Sequence, residues 1–187
     1  MQLIGKRVPI VHEKSFANLG ASHAAAHGIE IQKSYPYLLA QKFNIGYEDF
    51  SYTFTAVEYS QKVLENLDLS SYEFVMWQFS DPWRKHNFDH VGNPHDARGY
   101  ESSNSWKQAF LKYATVLKKY KDQKVFFYFI NTDYIDYFFD DLLKINSNLH
   151  PENFKLLDYC YGDNVHGGHL TQQYIANSLF TFIKERL

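Results

Sequence analysis

Apolar positions along this chain alternate between two rhythms, one with the period of a strand and one with that of a helix, and together they predict an ordered series of elements. Ser15 to Leu19 is a short, partly apolar run that stops at Gly20, as a strand feeding a tight turn does. His23 and His27, four apart just beyond that turn, are read as sharing one face of a helix. Ser34 precedes Tyr35 and Pro36, a cap with proline in the first turn, and Leu38, Leu39 and Phe43 follow at helical spacing. A second helix is predicted from about Ala56 to Leu67, burying Val57, Val63, Leu64 and Leu67. Glu73 to Phe79 holds Phe-Val-Met-Trp in succession, which suits a strand covered on both faces. From Ser105 the stripe Trp106, Phe110, Leu111, Ala114, Leu117 and Tyr120 is helical. Lys124 to Ile130 is the clearest strand. Asn131-Thr132-Asp133 then caps a predicted helix containing Tyr134, Tyr137, Phe138 and Leu142, and Phe154 to Leu157 is read as the last short strand. The final helix is predicted from near Thr171, presenting Tyr174, Ile175, Leu179, Phe182 and Ile183.

Strands alternating with helices of this length imply parallel pairing through right-handed crossovers, and hence an α/β chain with helices on both faces of the sheet. Such sheets bind ligands beyond the carboxyl ends of their strands. Ser22 follows the first strand, Ser80 and Asp81 the third, and Asp163 and His166 the last, so these residues are expected along one edge. The polar stretch from Asp81 to about Asn104 reads as a long loop near that edge, and loops of this length are commonly functional.

Composition narrows the function. The 187 residues fit one domain, 1–187, with no linker or repeat. With 45% hydrophobic and 21% charged residues and a formal net charge of -2, the chain is globular and has no general attraction for nucleic acid or anionic lipid. The 16 Phe, 15 Tyr and 3 Trp point to a core built from rings. Cys160 is the single cysteine, which excludes an intrachain disulfide framework and a four-cysteine zinc site. No run has the length of a membrane span, and the first residues lack the apolar core of a signal peptide, so a soluble, cytoplasmic protein is expected.

The chemistry lies in two short segments far apart in the chain, Gly20-Ala21-Ser22-His23 and Asp163-Asn164-Val165-His166. A serine hydroxyl is a weak nucleophile until an imidazole takes its proton, and the imidazole needs a carboxylate to fix its tautomer. Brought together, these residues would perform acyl transfer.

On these residues the chain resembles the SGNH (GDSL-type) hydrolases, small esterases, lipases and carbohydrate deacetylases with a Gly-Asp-Ser block near the amino terminus and an Asp-X-X-His block near the carboxyl terminus. Ser34-Tyr35-Pro36-Tyr37-Leu38-Leu39-Ala40 is similar to the helix that often follows the serine block, and Ala176 stands where a small residue is common. The resemblance implies a three-layer α/β/α domain with a flavodoxin-like parallel sheet of about five strands. It also implies an acyl-enzyme mechanism without cofactor or metal, in which Ser22 is the nucleophile, His166 the base and Asp163 the orienting acid. The Ser22 N–H, the Thr55 region and Ser80 would form the oxyanion hole, and His23, Asp81, Trp83 and Arg84 would line a site for a small or carbohydrate acyl ester. The chain departs from the pattern in three places: Ala21 replaces the block's aspartate, Ser80 replaces an asparagine donor, and no glycine lies around Thr53 to Ala56.

Other readings stay open at this level. His169 is an alternative base, with Gly167-Gly168 read as a flexible joint, and Asp133 is a substitute acid. A metal reading uses His23 and His27 with His86, His90, His95 and Asp96. An inactive domain that binds a glycan or a protein partner is a third class, favoured by the altered blocks.

Overall fold

Short apolar runs become the strands of the sheet, and longer amphipathic stretches become the helices that cover them. The computed structural model describes residues 7–52, 56–80, 103–130, 132–160 and 166–187. In chain order the elements are β1 (Arg7–Ile10), β2 (Ser15–Leu19), α1 (Tyr35–Phe43), β3 (Gly46–Asp49), α2 (Val57–Glu65), β4 (Val75–Gln78), α3 (Ser103–Lys119), β5 (Val125–Ile130), α4 (Phe139–Leu143), β6 (Leu149–Phe154) and α5 (His169–Lys184). The sheet order is β1-β3-β2-β4-β5-β6. From β3 to β6 every pairing is parallel, and β1 adds an antiparallel edge on β3. The parallel part is the doubly wound, flavodoxin-like arrangement, with the order reversing between β2 and β4.

Strand alternation divides the core. Ala17, Leu19, Val75, Trp77, Phe79, Val125, Phe127 and Phe129 face α2, α3 and α4. Phe16, Met76, Phe126, Tyr128 and Ile130 face α1 and α5, which contribute Tyr35, Leu39, Ala40, Ile175, Leu179 and Ile183. The rings pack on each other, as where Phe79 stacks on Phe127 with centroids 5.1 Å apart and Phe16 on Phe74 at 4.9 Å. The abundant aromatics of the described residues are thus largely core.

Several elements differ from the sequence expectations. The last strand is Leu149–Phe154, not 154–157, and it carries Pro151. As an edge strand it tolerates a residue that cannot donate to the ladder. β1 and β3 lie in segments with no strand signal: Gly-Tyr-Glu-Asp of β3 combines a glycine with two acids, residues poor in strands elsewhere. The helix predicted after Asn131 is a 3-10 turn, Asp133–Tyr137, followed by the short α4. His23 and His27 lie on consecutive turns, not on a helix, because Ala26 (φ 56°) and Gly28 (φ 77°) turn the chain into the left-handed region. Among the described residues no helix is long and apolar enough to cross a membrane.

Candidate active site

The turn carrying Ser22 leaves β2 at Gly20, whose φ of 149° is open to glycine and to few other residues. A Cβ there would also lie 2.7 Å from Gln78 Cβ and 2.8 Å from Ala24 Cβ, so glycine lets the turn close onto β4. Within the turn the Ala25 N–H donates to the Ala21 carbonyl (2.9 Å) and the His27 N–H to the Ser22 carbonyl (3.0 Å). Side chains from two strands then hold both polar groups of Ala24. Its N–H donates to Gln78 Oε1 (3.0 Å), and its carbonyl accepts from Asn18 Nδ2 (3.1 Å).

Asn18 is held in turn by the Asp49 carboxylate at the end of β3, its Nδ2 donating to Oδ1 at 3.0 Å. The Ser51 N–H (3.0 Å) and hydroxyl donate to the same oxygen. Asp49 is only 2% exposed, and a buried carboxylate needs such donors to remain charged. Nearby, the Tyr35 and Tyr128 hydroxyls bond at 2.6 Å. Burial, the Tyr128 partner and the negative charge of Asp49 hold the Tyr35 phenol well above its ordinary range.

Ser22 itself is buried. Ser80, just past β4, is buried too, and its backbone is anchored where its carbonyl accepts from the Tyr113 hydroxyl of α3 (2.8 Å). Its own hydroxyl oxygen has no hydrogen-bond partner among the described residues. A buried polar atom left in this state is uncommon and marks a position open to a ligand or ordered water.

His166 arrives from the other end of the chain, and its ring lies against the Ser22 turn, with centroids 5.1 Å from His23 and 4.6 Å from His27. The backbone around His166 is fixed by hydrogen bonds. Its carbonyl accepts from the Cys160 N–H (2.9 Å), and the Gly168 N–H donates to the Asp158 carbonyl (3.0 Å). The Gly167 carbonyl accepts from Gln172 Nε2 (3.0 Å) and from the Cys160 thiol (3.3 Å).

Gly167 and Gly168 serve close approach here. A Cβ on Gly167 would collide with the Thr171 side chain, and one on Gly168 would lie 2.6 Å from both Asp158 Oδ2 and the Tyr159 carbonyl. The flexible joint expected from sequence is therefore a docking point against the first turn of α5. His169 is the first residue of α5 and is exposed. Asp158 caps this helix from the preceding segment, accepting from the N–H groups of Leu170 (3.0 Å) and Thr171 (2.8 Å) and from the Thr171 hydroxyl (2.7 Å). Burial pushes the Asp158 carboxyl up, but these hydrogen bonds and the nearby His169 outweigh it and hold the group below its usual range.

The described residues thus bring Ser22, Ser80, His23 and His166 to the carboxyl edge of the parallel strands. Asp163, Thr55, Asp81, Trp83 and Arg84 lie outside the described residues, as do His86, His90, His95 and Asp96. Among the described residues no group of three or more His, Cys, Asp or Glu side chains is placed to hold a metal ion, although three imidazoles meet here. Sequence reasoning missed Asn18, Gln78, Asp158 and Gln172. The first two leave a trace, as polar residues inside the apolar runs of β2 and β4; the last two are spaced like ordinary loop and helix residues.

No protein-family model and no curated protein matches the sequence. Solved structures do match in three dimensions. A carbohydrate esterase described as having divergent catalytic and non-catalytic binding functions aligns with a TM-score of 0.60 at 11% identity, over 94% of this chain and 66% of its own. The psychrotrophic esterase EstA from Pseudoalteromonas sp. aligns with a TM-score of 0.58 at 16% identity, over 92% of this chain and 97% of its own. TesA aligns with a TM-score of 0.61 at 14% identity, over 93% of this chain and 100% of its own. This chain spans about two thirds of the carbohydrate esterase and nearly the whole of the other two. The likeness is one of fold: the chain shares the α/β/α layer arrangement of these solved structures, which is the fold expected from its resemblance to the SGNH (GDSL-type) hydrolases.

Proposed function

We propose that this protein is a serine ester hydrolase that acts on a small acyl ester through an acyl-enzyme on Ser22. The observation that carries the reading is the meeting of His166 with the Ser22 turn, across more than half the chain, at the sheet edge where such folds bind ligands. In this reading His166 takes the Ser22 proton as Oγ attacks the carbonyl carbon. Asp163 holds the imidazole tautomer and stabilises the imidazolium. The negative oxygen of the tetrahedral intermediate receives hydrogen bonds from the Ser22 N–H, the Thr55 region and the Ser80 hydroxyl, whose lack of a partner among the described residues supports that role. His166 then gives its proton to the departing alcohol, and water attacks the acyl-enzyme with His166 again as base.

A carbohydrate ester is the favoured substrate class. Its support is that several structural neighbours are carbohydrate esterases, one of them from Clostridium thermocellum in complex with cellohexaose. His23, Asp81, Trp83 and Arg84 are the proposed substrate contacts, with Trp83 offering a stacking face and Arg84 a bidentate donor.

The test is reaction of the purified protein with a fluorophosphonate, read by intact mass. We expect one adduct on the native protein, none on Ser22→Ala, and strongly slowed labelling of His166→Ala and Asp163→Asn. Short-chain esters and acetylated xylan would then define the acyl and alcohol parts. Folded native protein that forms no adduct between pH 7 and 9 would overturn the esterase reading in favour of glycan binding without turnover.

A further inference from the structure

Gln172 lies on the first turns of α5, is 2% exposed, and uses both ends of its amide. Its Oε1 accepts from the Tyr35 N–H at the start of α1 (2.9 Å), and its Nε2 donates to the Gly167 carbonyl (3.0 Å). The Tyr35 N–H is one of the helix-initial donors that lack a partner within their own helix, and the Ser34 side chain does not cap it. The Gly167 carbonyl belongs to the Gly167–Gly168 peptide, the second after His166. One side chain therefore ties the start of α1 to the backbone one residue beyond His166.

We infer that Gln172 is a positioning residue for His166, an inference that rests on the proposed role of His166 as base. The neighbouring constraints favour it. The His166 carbonyl is fixed by the Cys160 N–H, and Gly167 is wedged against Thr171 by the absence of a Cβ. The next peptide, Gly167–Gly168, is held at its carbonyl by the Gln172 amide and the Cys160 thiol and at its N–H by the Asp158 carbonyl, so the Gln172 amide is the side-chain donor that α5 gives it. Loss of that donor loosens the Gly167–Gly168 peptide, and rotation there carries through Gly167 to the His166 backbone and moves the imidazole across the Ser22 turn. Misplacement of a catalytic group by about 1 Å can cost on the order of 10²-fold in rate.

The test uses Gln172→Met, which keeps length but removes both bonds, and Gln172→Glu, which keeps the acceptor for Tyr35 but offers the Gly167 carbonyl a second oxygen. Gln173→Met, at the exposed neighbouring position, is the control. The first readout is the His166 imidazole resonances, assigned by their loss in His166→Ala, with the buried His150 as reference. We expect both Gln172 variants to shift or broaden His166 while His150 holds. The second readout is ester turnover, where kcat should fall roughly 10- to 100-fold with KM within about twofold. Unchanged His166 signals in a folded variant overturn the inference, as does a lowered melting temperature with native kcat. If the native protein neither labels with fluorophosphonate nor turns over esters, the esterase reading fails, and the resonances alone still decide whether Gln172 holds His166.

Discussion

A buried hydroxyl without a partner costs on the order of 1–3 kcal/mol, and among the described residues Ser80, just past β4, carries one. Such a group is kept for a reason other than stability. Ser80→Ala should leave the urea unfolding midpoint unchanged or higher while ester turnover falls by about 10²-fold, as for loss of one oxyanion donor. Activity and stability moving together would remove Ser80 from the oxyanion hole. Gly167→Ala should behave oppositely. Its new methyl group collides with Thr171, so we expect a stability loss of about 1–3 kcal/mol by urea unfolding together with slower fluorophosphonate labelling. That the Ser22 turn and His166 lie together at one sheet edge was legible in sequence because each segment stands just past a strand. Gln78, Asn18 and Gln172 were not, because what they do depends on the backbone lying across from them. An amide in a buried run signals only that some partner exists.

Elements with strong periodicity were readable for the same physical reason that they are stable. β4 and β5 bury every residue, and α1 and α5 bury a stripe, so their patterns survive in the sequence. The edge strands β1 and β6 have one neighbour each and escape that constraint, while β3 spends its carboxyl end on the Asp49 network. The junction of β6 with α5 gives a pH prediction. His150 packs against Phe154 and Phe182, with centroids 4.6 and 4.7 Å away, and its ring nitrogens meet the Glu152 N–H (3.2 Å) and the Ser178 hydroxyl (3.1 Å). Burial pushes its imidazole down to about 4 from an ordinary value of 6.5. Between those values the unfolded chain binds the proton that the folded chain refuses, so this stability is complete above about pH 6.5 and is lost as pH falls towards 4. Urea midpoints should therefore drop between pH 7 and pH 4.5. His150→Gln should be less stable at pH 7 and decline more gently; an equally steep decline would assign the acid lability to other groups.

At the scale of the whole molecule the sheet is most protected at its centre. β4 is paired on both sides and covered by both core clusters, and β5 is likewise flanked and covered. Native-state hydrogen exchange should find the slowest amides in Val75–Gln78 and Val125–Ile130, with β1 and β6 exchanging through smaller openings. Slowest exchange in β1 or β6 would contradict this core. The contact of His166 with His23 and His27 spans the sequence, and contacts of that separation form late and slowly in folding. During synthesis, which proceeds from the amino terminus, Ser22 leaves the ribosome long before His166 does. Under the proposed roles, a chain whose translation stalls anywhere before His166 would hold Ser22 without its base, so ester-cleaving power would arise only in molecules whose synthesis has passed that point.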